Sequence, residues 1–216
     1  MGISTGKAIT GSMRTMKKKP VILFDEPTHT YCVDGKIVPS VTQILEAEGL
    51  SDFSGIPPET LRLAQERGTA VHKATQYLDE GRLDWTTVSA QVADYLSAWQ
   101  RFKNDCQPEI LAIEYQVYSP TGYAGTIDRT LRMQGEHWLI DIKTGNPTRA
   151  AAIQTAAYQY AYEDTHSLHL GTNGRRAAIQ LNNDGTYKIH PYATDLMHDL
   201  NVFMAALTLY QFKRKS

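Results

Sequence analysis

The chain has 216 residues, of which 42% are hydrophobic and 21% charged, the make-up of a soluble globular protein long enough to bury a sizeable core. Its 22 basic and 23 acidic residues leave a formal net charge of −1, so no overall cationic field exists and attraction to a polyanion has to come from a local patch. Two cysteines, Cys32 and Cys106, exclude a disulfide framework, a zinc pattern and a four-cysteine iron–sulfur cluster, and no run is long enough to cross a membrane, which together point to the cytoplasm.

Residues 1–12 are small and polar ahead of a second methionine, and residues 1–20 read as a leader or disordered tail. A short apolar run at 21–24 and the segment 28–38 follow, with Asp34-Gly35 suited to a tight type I′ hairpin. Pro39 ends it, and Ser40 is a candidate N-cap for a helix carrying Val41, Ile44 and Leu45 on one side. A longer helix over 59–80 places Leu61, Ala64, Gly68, Val71, Thr75 and Leu78 near helical spacing. His72 lies inside it, and a histidine so placed is by itself more often packed or surface than a ligand. The third helix, over 87–105, carries Val88, Val92, Tyr95, Leu96, Trp99 and Phe102 as a stripe of core residues.

A strand over 111–118 alternates Ile113, Tyr115 and Val117 against Glu114, Gln116 and Tyr118; a solvent-facing glutamate would look the same as Glu114 does. The runs 123–132 and 137–143 flank Gln134-Gly135-Glu136 and are expected to pair as an antiparallel hairpin. Alternation in the second run sets Leu139, Asp141 and Lys143 on one face and Trp138, Ile140 and Ile142 on the other. Asn146 then caps a helix over 147–164 with Pro147 at its first position, and Gln154 and Tyr158 share one side of it. Strands around 177–181 and 187–192 meet at Asn183-Asp184-Gly185, and Thr194 or Asp195 caps a last helix striped by Leu196, Leu200, Phe203, Leu207 and Tyr210. No repeat appears, so an α/β domain with a helical N-terminal part is expected, residues 21–105 preceding a core at 106–216.

Asp128 and Asp141 on neighbouring strands, with Lys143 beside the second, are a costly arrangement inside an apolar sheet unless the charges are paired or hold a cation. Oxygen donors of this kind suit a hard divalent ion, and the carbonyl of Ile142 lies between the two charged positions. A basic patch could be drawn from Lys17, Lys18, Lys19, Arg62, Arg67, Lys73, Arg129, Arg132, Arg149, Arg175 and Arg176, most of which would serve equally as solvated surface.

The order Glu114, Gly125-Thr126-Ile127-Asp128, Asp141-Ile142-Lys143, Gln154 and Tyr158 resembles the PD-(D/E)XK nuclease superfamily, and in particular its RecB-like exonuclease branch. The upstream pieces His29-Thr30-Tyr31, Pro39-Ser40-Val41-Thr42 and Arg67-Gly68-Thr69-Ala70-Val71-His72 look like those that precede the core in phage-type and mitochondrial genome maintenance exonucleases. The resemblance implies a restriction-endonuclease-like core, a central mixed β-sheet flanked by helices. It implies that Asp128 and Asp141 bind Mg²⁺ or Mn²⁺, that the Ile142 carbonyl completes the site, and that Glu114 helps a second ion. Lys143 would position or help deprotonate the attacking water and stabilise charge on the phosphate, His72 would match the histidine from an upstream helix and join the metal ligands, and Gln154 and Tyr158 would orient these groups or touch the DNA backbone. Arg67, Arg129 and Arg149 are the candidates for DNA contact.

The activity so implied is a metal-dependent deoxyribonuclease acting on single- or double-stranded DNA ends in phage or bacterial recombination, repair or replication. It leaves room for a single-strand annealing or helicase partner and for a homo-oligomer. A structure-specific endonuclease and a catalytically silent nucleic-acid-binding module are the alternatives. Two departures stand out: aspartate in place of the glutamate many relatives carry before x-Lys, and the lack of the cysteines that hold an iron–sulfur cluster in some RecB-like relatives.

Overall fold

The computed structural model describes residues 19–51, 53–166, 174–192 and 196–214. Most of the expected leader, Lys17 and Lys18, and the expected caps Thr194 and Asp195 lie outside the described residues.

The chain opens with three short strands, β1 (Ile22–Asp25), β2 (Thr30–Val33) and β3 (Lys36–Val38), which form an antiparallel sheet in that order. Asp34 and Gly35 both take positive φ (47° and 81°), the type I′ turn their identities favour. Ser40 caps α1 (Val41–Ala47) through a full capping box: its hydroxyl accepts from the Gln43 amide at 3.0 Å and its own amide donates to the Gln43 side chain at 3.0 Å. The amide of Ala124 donates to the Pro39 carbonyl at 3.0 Å, so this corner is fixed to the larger sheet.

Helices α2 (Pro58–Asp79) and α3 (Ala90–Cys106) follow. The third helix starts later than the apolar stripe suggests. Asp84 binds the Thr86 amide at 2.9 Å and sets a single 3₁₀ turn over Trp85–Thr87, after which the chain runs extended before Ala90.

The large sheet has the order β4 (Glu109–Ser119), β5 (Tyr123–Met133), β6 (Glu136–Lys143), β7 (Gly174–Leu181), β8 (Tyr187–Pro191). All neighbours are antiparallel except β6 and β7, which run parallel across the crossover helix α4 (Arg149–His166). The β5–β6 turn is again a two-residue one, with Gln134 at φ 54° and Gly135 at φ 78°. This mixed sheet flanked by helices is the core that the sequence resemblance implies.

The sheet's side chains divide between two apolar layers. Leu139 and Ile127 pack with α1, α4 and the C-terminal helix α5 (Leu196–Arg214), through Ile44, Ala157, Phe203 and Leu207. Ile140, Ile142, Leu131 and Ile179 pack on the opposite side with Val71, Leu96, Trp99 and Phe102 of α2 and α3. The division of β6 into a Leu139 face and an Ile140/Ile142 face is the one its sequence predicts.

One cap differs from expectation. α4 begins at Arg149, not at Pro147, and the Asn146 side chain accepts from Gln180 Nε2 at 3.0 Å instead of capping the helix. Cys32 and Cys106 are both free. None of the described helices is long and apolar enough to cross a membrane.

Candidate metal centre

The polar residues singled out along the sequence converge on the face of the sheet covered by α4, reached from the other side by α2. Asp128, on β5, is pinned by its own neighbour strand: Oδ2 accepts from the Ile142 amide at 2.6 Å. His72, near the middle of α2, sits against both groups, with Nδ1 3.5 Å from Asp128 Oδ2 and Nε2 2.8 Å from the Ile142 carbonyl oxygen. Glu114 joins them from β4. It lies between the register pairs Ile113–Arg129 and Tyr115–Ile127, so it stands opposite Asp128, and its φ is 47°. A left-handed glutamate inside a strand is strained, and such strain persists where the surroundings impose it.

Asp141 and Lys143 share their face of β6 and bond each other, Lys143 Nζ donating to Asp141 Oδ1 at 2.8 Å. From α4, Gln154 Oε1 lies 3.5 Å from the same ammonium, and Gln154 Nε2 donates to the Tyr158 hydroxyl at 2.9 Å. The glycine of the Gly125–Asp128 motif has a steric reason: a Cβ at Gly125 would overlap the Tyr158 ring. Tyr31 of β2 closes the group, its hydroxyl 2.8 Å from Thr126 Oγ1.

The charges influence one another strongly. Burial disfavours ionised His72, but the Asp128 carboxylate outweighs it and raises the imidazole to about 9. Burial likewise works against ionised Asp128, yet His72, Lys143 and the Ile142 amide hold it below the ordinary carboxylate value. Glu114 is pushed up to about 7 by burial and by Asp128, with His72 and Arg129 opposing. Asp141 rises through burial and Asp128, against the pull of Lys143. Tyr31 is raised to about 12, chiefly by burial.

Two observations bear on whether a cation fits. His72, Glu114 and Asp128 each turn one ligand atom into a common space, all within 4.8 Å of one another. Asp141 Oδ2 is buried with no hydrogen-bond partner among the described residues, an expensive state for a carboxylate oxygen unless a cation meets it. Hard oxygens with one imidazole suit Mg²⁺ or Mn²⁺. The tightest cluster therefore contains His72, Glu114 and Asp128, while Asp141 is turned toward Lys143.

The basic candidates separate. Arg67 lies beside the site, its Nε 3.5 Å from Thr144 Oγ1 just past Lys143. Arg149 is exposed at the start of α4, with Nη2 3.0 Å from His198 Nε2. Arg129 is a correction: it is fully buried, paired with Asp79 at 2.8 Å and Glu114 at 3.1 Å, and cannot face DNA from there. Arg176 is also interior, 2% exposed on Asp199. Arg62, Lys73, Arg132 and Arg175 each pair with a carboxylate.

Asp79 is a residue that sequence reasoning missed. It ends α2 among Glu80, Gly81 and Arg82 and reads as a surface acid, whereas its side chain is fully buried. Its signal is weak: Asp79 stands one turn beyond Thr75 and two beyond His72, close to the buried side of the helix.

Comparison with known proteins adds one finding. The family described as the PD-(D/E)XK nuclease superfamily matches residues 81–207. A search of curated proteins finds no match.

Proposed function

Because the chain belongs to the PD-(D/E)XK nuclease superfamily, we propose that it is a divalent-metal-dependent DNA exonuclease that hydrolyses phosphodiester bonds at DNA ends. The observation that carries this reading is the convergence of His72, Glu114 and Asp128 around a space of metal-site size, with the Asp141–Lys143 pair on the strand next to Asp128. A silent relative would have no need to keep Asp141 Oδ2 buried at such a place with no hydrogen-bond partner among the described residues.

Asp128, Glu114, His72, Asp141 and the Ile142 carbonyl would hold Mg²⁺ or Mn²⁺. Such an ion, when bound, makes water a better nucleophile near neutral pH and offsets charge on the phosphoryl oxygens. Lys143, kept protonated against its burial by Asp141 and Asp128, is placed to hold the attacking water and to donate to a phosphoryl oxygen. Gln154 fixes the ammonium from above, and Tyr158 fixes Gln154. Arg67 and Arg149 are the side chains we assign to backbone phosphates, as charge-assisted donors.

We read residues 21–216 as one nuclease unit, because α2 and α3 share an apolar layer with β5, β6 and β7. Its substrate would be single- or double-stranded DNA ends in phage or bacterial recombination, repair or replication, in the cytoplasm. A single-strand annealing protein, a helicase or further copies of the chain would be fitting partners.

Asp141→Ala and Lys143→Ala test the assignment. Each should lower cleavage of linear DNA by about 100- to 1000-fold or more, and Asp141→Ala should also weaken Mg²⁺ binding. Near-normal digestion by either protein would remove the assigned site.

A further inference from the structure

The interior of the molecule holds a charged chain that links the helical N-terminal part to the metal centre. Arg129 follows Asp128 on β5 and pairs with Ile140 of β6, and its side chain enters the layer beneath α2 and α3, where it meets Asp79 and Trp99. It is fully buried. Nε donates to Asp79 Oδ2 at 2.8 Å, Nη1 donates to Glu114 Oε1 at 3.1 Å and to the Asp128 carbonyl at 2.5 Å, and the guanidinium lies 5.7 Å from the Trp99 ring centre. Asp79, also fully buried, accepts in addition from Trp99 Nε1 at 3.0 Å and from Lys103 Nζ at 2.6 Å. Arg129 Nη2 has no hydrogen-bond partner among the described residues.

Burying this many charges is a poor way to stabilise a fold, since apolar side chains of similar volume would do as well. Stapling two helices to the sheet would require only the Asp79–Arg129 pair. The second arm of the fork goes instead to Glu114, the residue held at φ 47° opposite Asp128. A planar guanidinium is the one side chain that can span two carboxylates in a fixed geometry.

We propose that Arg129, anchored by Asp79, is a positioning residue for the metal centre: it ties one oxygen of Glu114 and leaves the other to the cation. The role rests on the nuclease reading only for its purpose; the metal affinity it predicts is measured without DNA. Asp79 thereby makes the geometry of the centre depend on the packing of α2 and α3 on the sheet.

The test is calorimetric titration of the full chain with Mn²⁺ alone, beside thermal melts of the metal-free proteins. Arg129→Lys keeps a cation for Asp79 but cannot reach both carboxylates. Mn²⁺ affinity should fall about 10- to 100-fold, as for other residues that orient a ligand. Asp79→Asn, which frees the guanidinium without removing it, is the second variant should Arg129→Lys not fold, and should move affinity in the same direction. In a Glu114→Gln background neither change should cost further affinity, because the group being positioned is already altered. Folded variants that bind Mn²⁺ like the wild type overturn the proposal, as does an affinity loss of equal size in both backgrounds. The two claims fail separately: a wild-type protein that binds Mn²⁺ yet leaves DNA intact overturns the nuclease reading and not the role of Arg129.

Discussion

Gly125 shows how one residue joins two motifs that are far apart in sequence. It sits three positions before Asp128, and its missing Cβ is what lets the Tyr158 ring lie against β5, from where the phenol holds Gln154 near Lys143. Gly125→Ala should cost about 1–3 kcal/mol of stability, the usual penalty for overpacking. Cleavage should fall further than the loss of folded protein explains, because Tyr158 must move; a melt and a digestion assay on the same sample separate the two effects.

The ionisable groups give a second expectation at this scale. In metal-free protein the His72 pKa of about 9 lies above its ordinary 6.5, so its contribution is fully present below pH 6.5 and lost as pH rises toward 9. Glu114, raised to about 7, acts in the same sense, its contribution being lost from its ordinary 4.5 upward through 7. Urea unfolding in EDTA should therefore give a lower stability at pH 9 than at pH 6, by on the order of a few kcal/mol. His72→Gln should flatten that slope; a slope unchanged by the substitution would contradict the assignment to His72.

At the scale of elements, local chemistry decided most of what could be read from the chain. Asp34-Gly35 makes the tight turn expected of it, Gln134-Gly135 turns in two residues where a connection of three through Glu136 is expected, and the Ser40 capping box sets the first residue of α1. Ser40→Ala should cost about 1 kcal/mol, lowering the melting temperature by roughly 2–4 °C in a chain this long; no shift would mean that Pro39 and Ala124 alone fix the corner. Where long-range partners intervene, local signals mislead. Asn146 is an apt cap but is drawn away by Gln180 on β7, and Asp84 diverts the chain into a 3₁₀ turn before α3 can start. The bulge in β4 between Ile110 and Ala112 and the left-handed Glu114 leave no trace in the alternation of that strand. Arg129 is the clearest case. Beside Asp128 it reads as a basic residue available to DNA, and only its partner on α2, Asp79, makes it an interior residue.

For the whole molecule, the two apolar layers carry different duties. The α1, α4 and α5 layer supports the face bearing Leu139, Asp141 and Lys143, and the α2 and α3 layer delivers His72 from behind along with the buried Asp79–Arg129 pair. The net charge of −1 gives no field to gather DNA, and among the described residues most basic side chains outside the site are already paired. Binding to DNA should accordingly lean on the metal centre and the few cations beside it, Arg67 among them.

That account is tested most directly by digesting linear single-stranded, linear double-stranded and closed-circular DNA, each labelled where ends exist, with Mg²⁺ and with EDTA. The account predicts loss of linear DNA from its ends in Mg²⁺, survival of the circles, and no cleavage in EDTA. Circles cut as fast as linear DNA would contradict action at ends, and DNA shifted in a gel but never cut would contradict catalysis altogether.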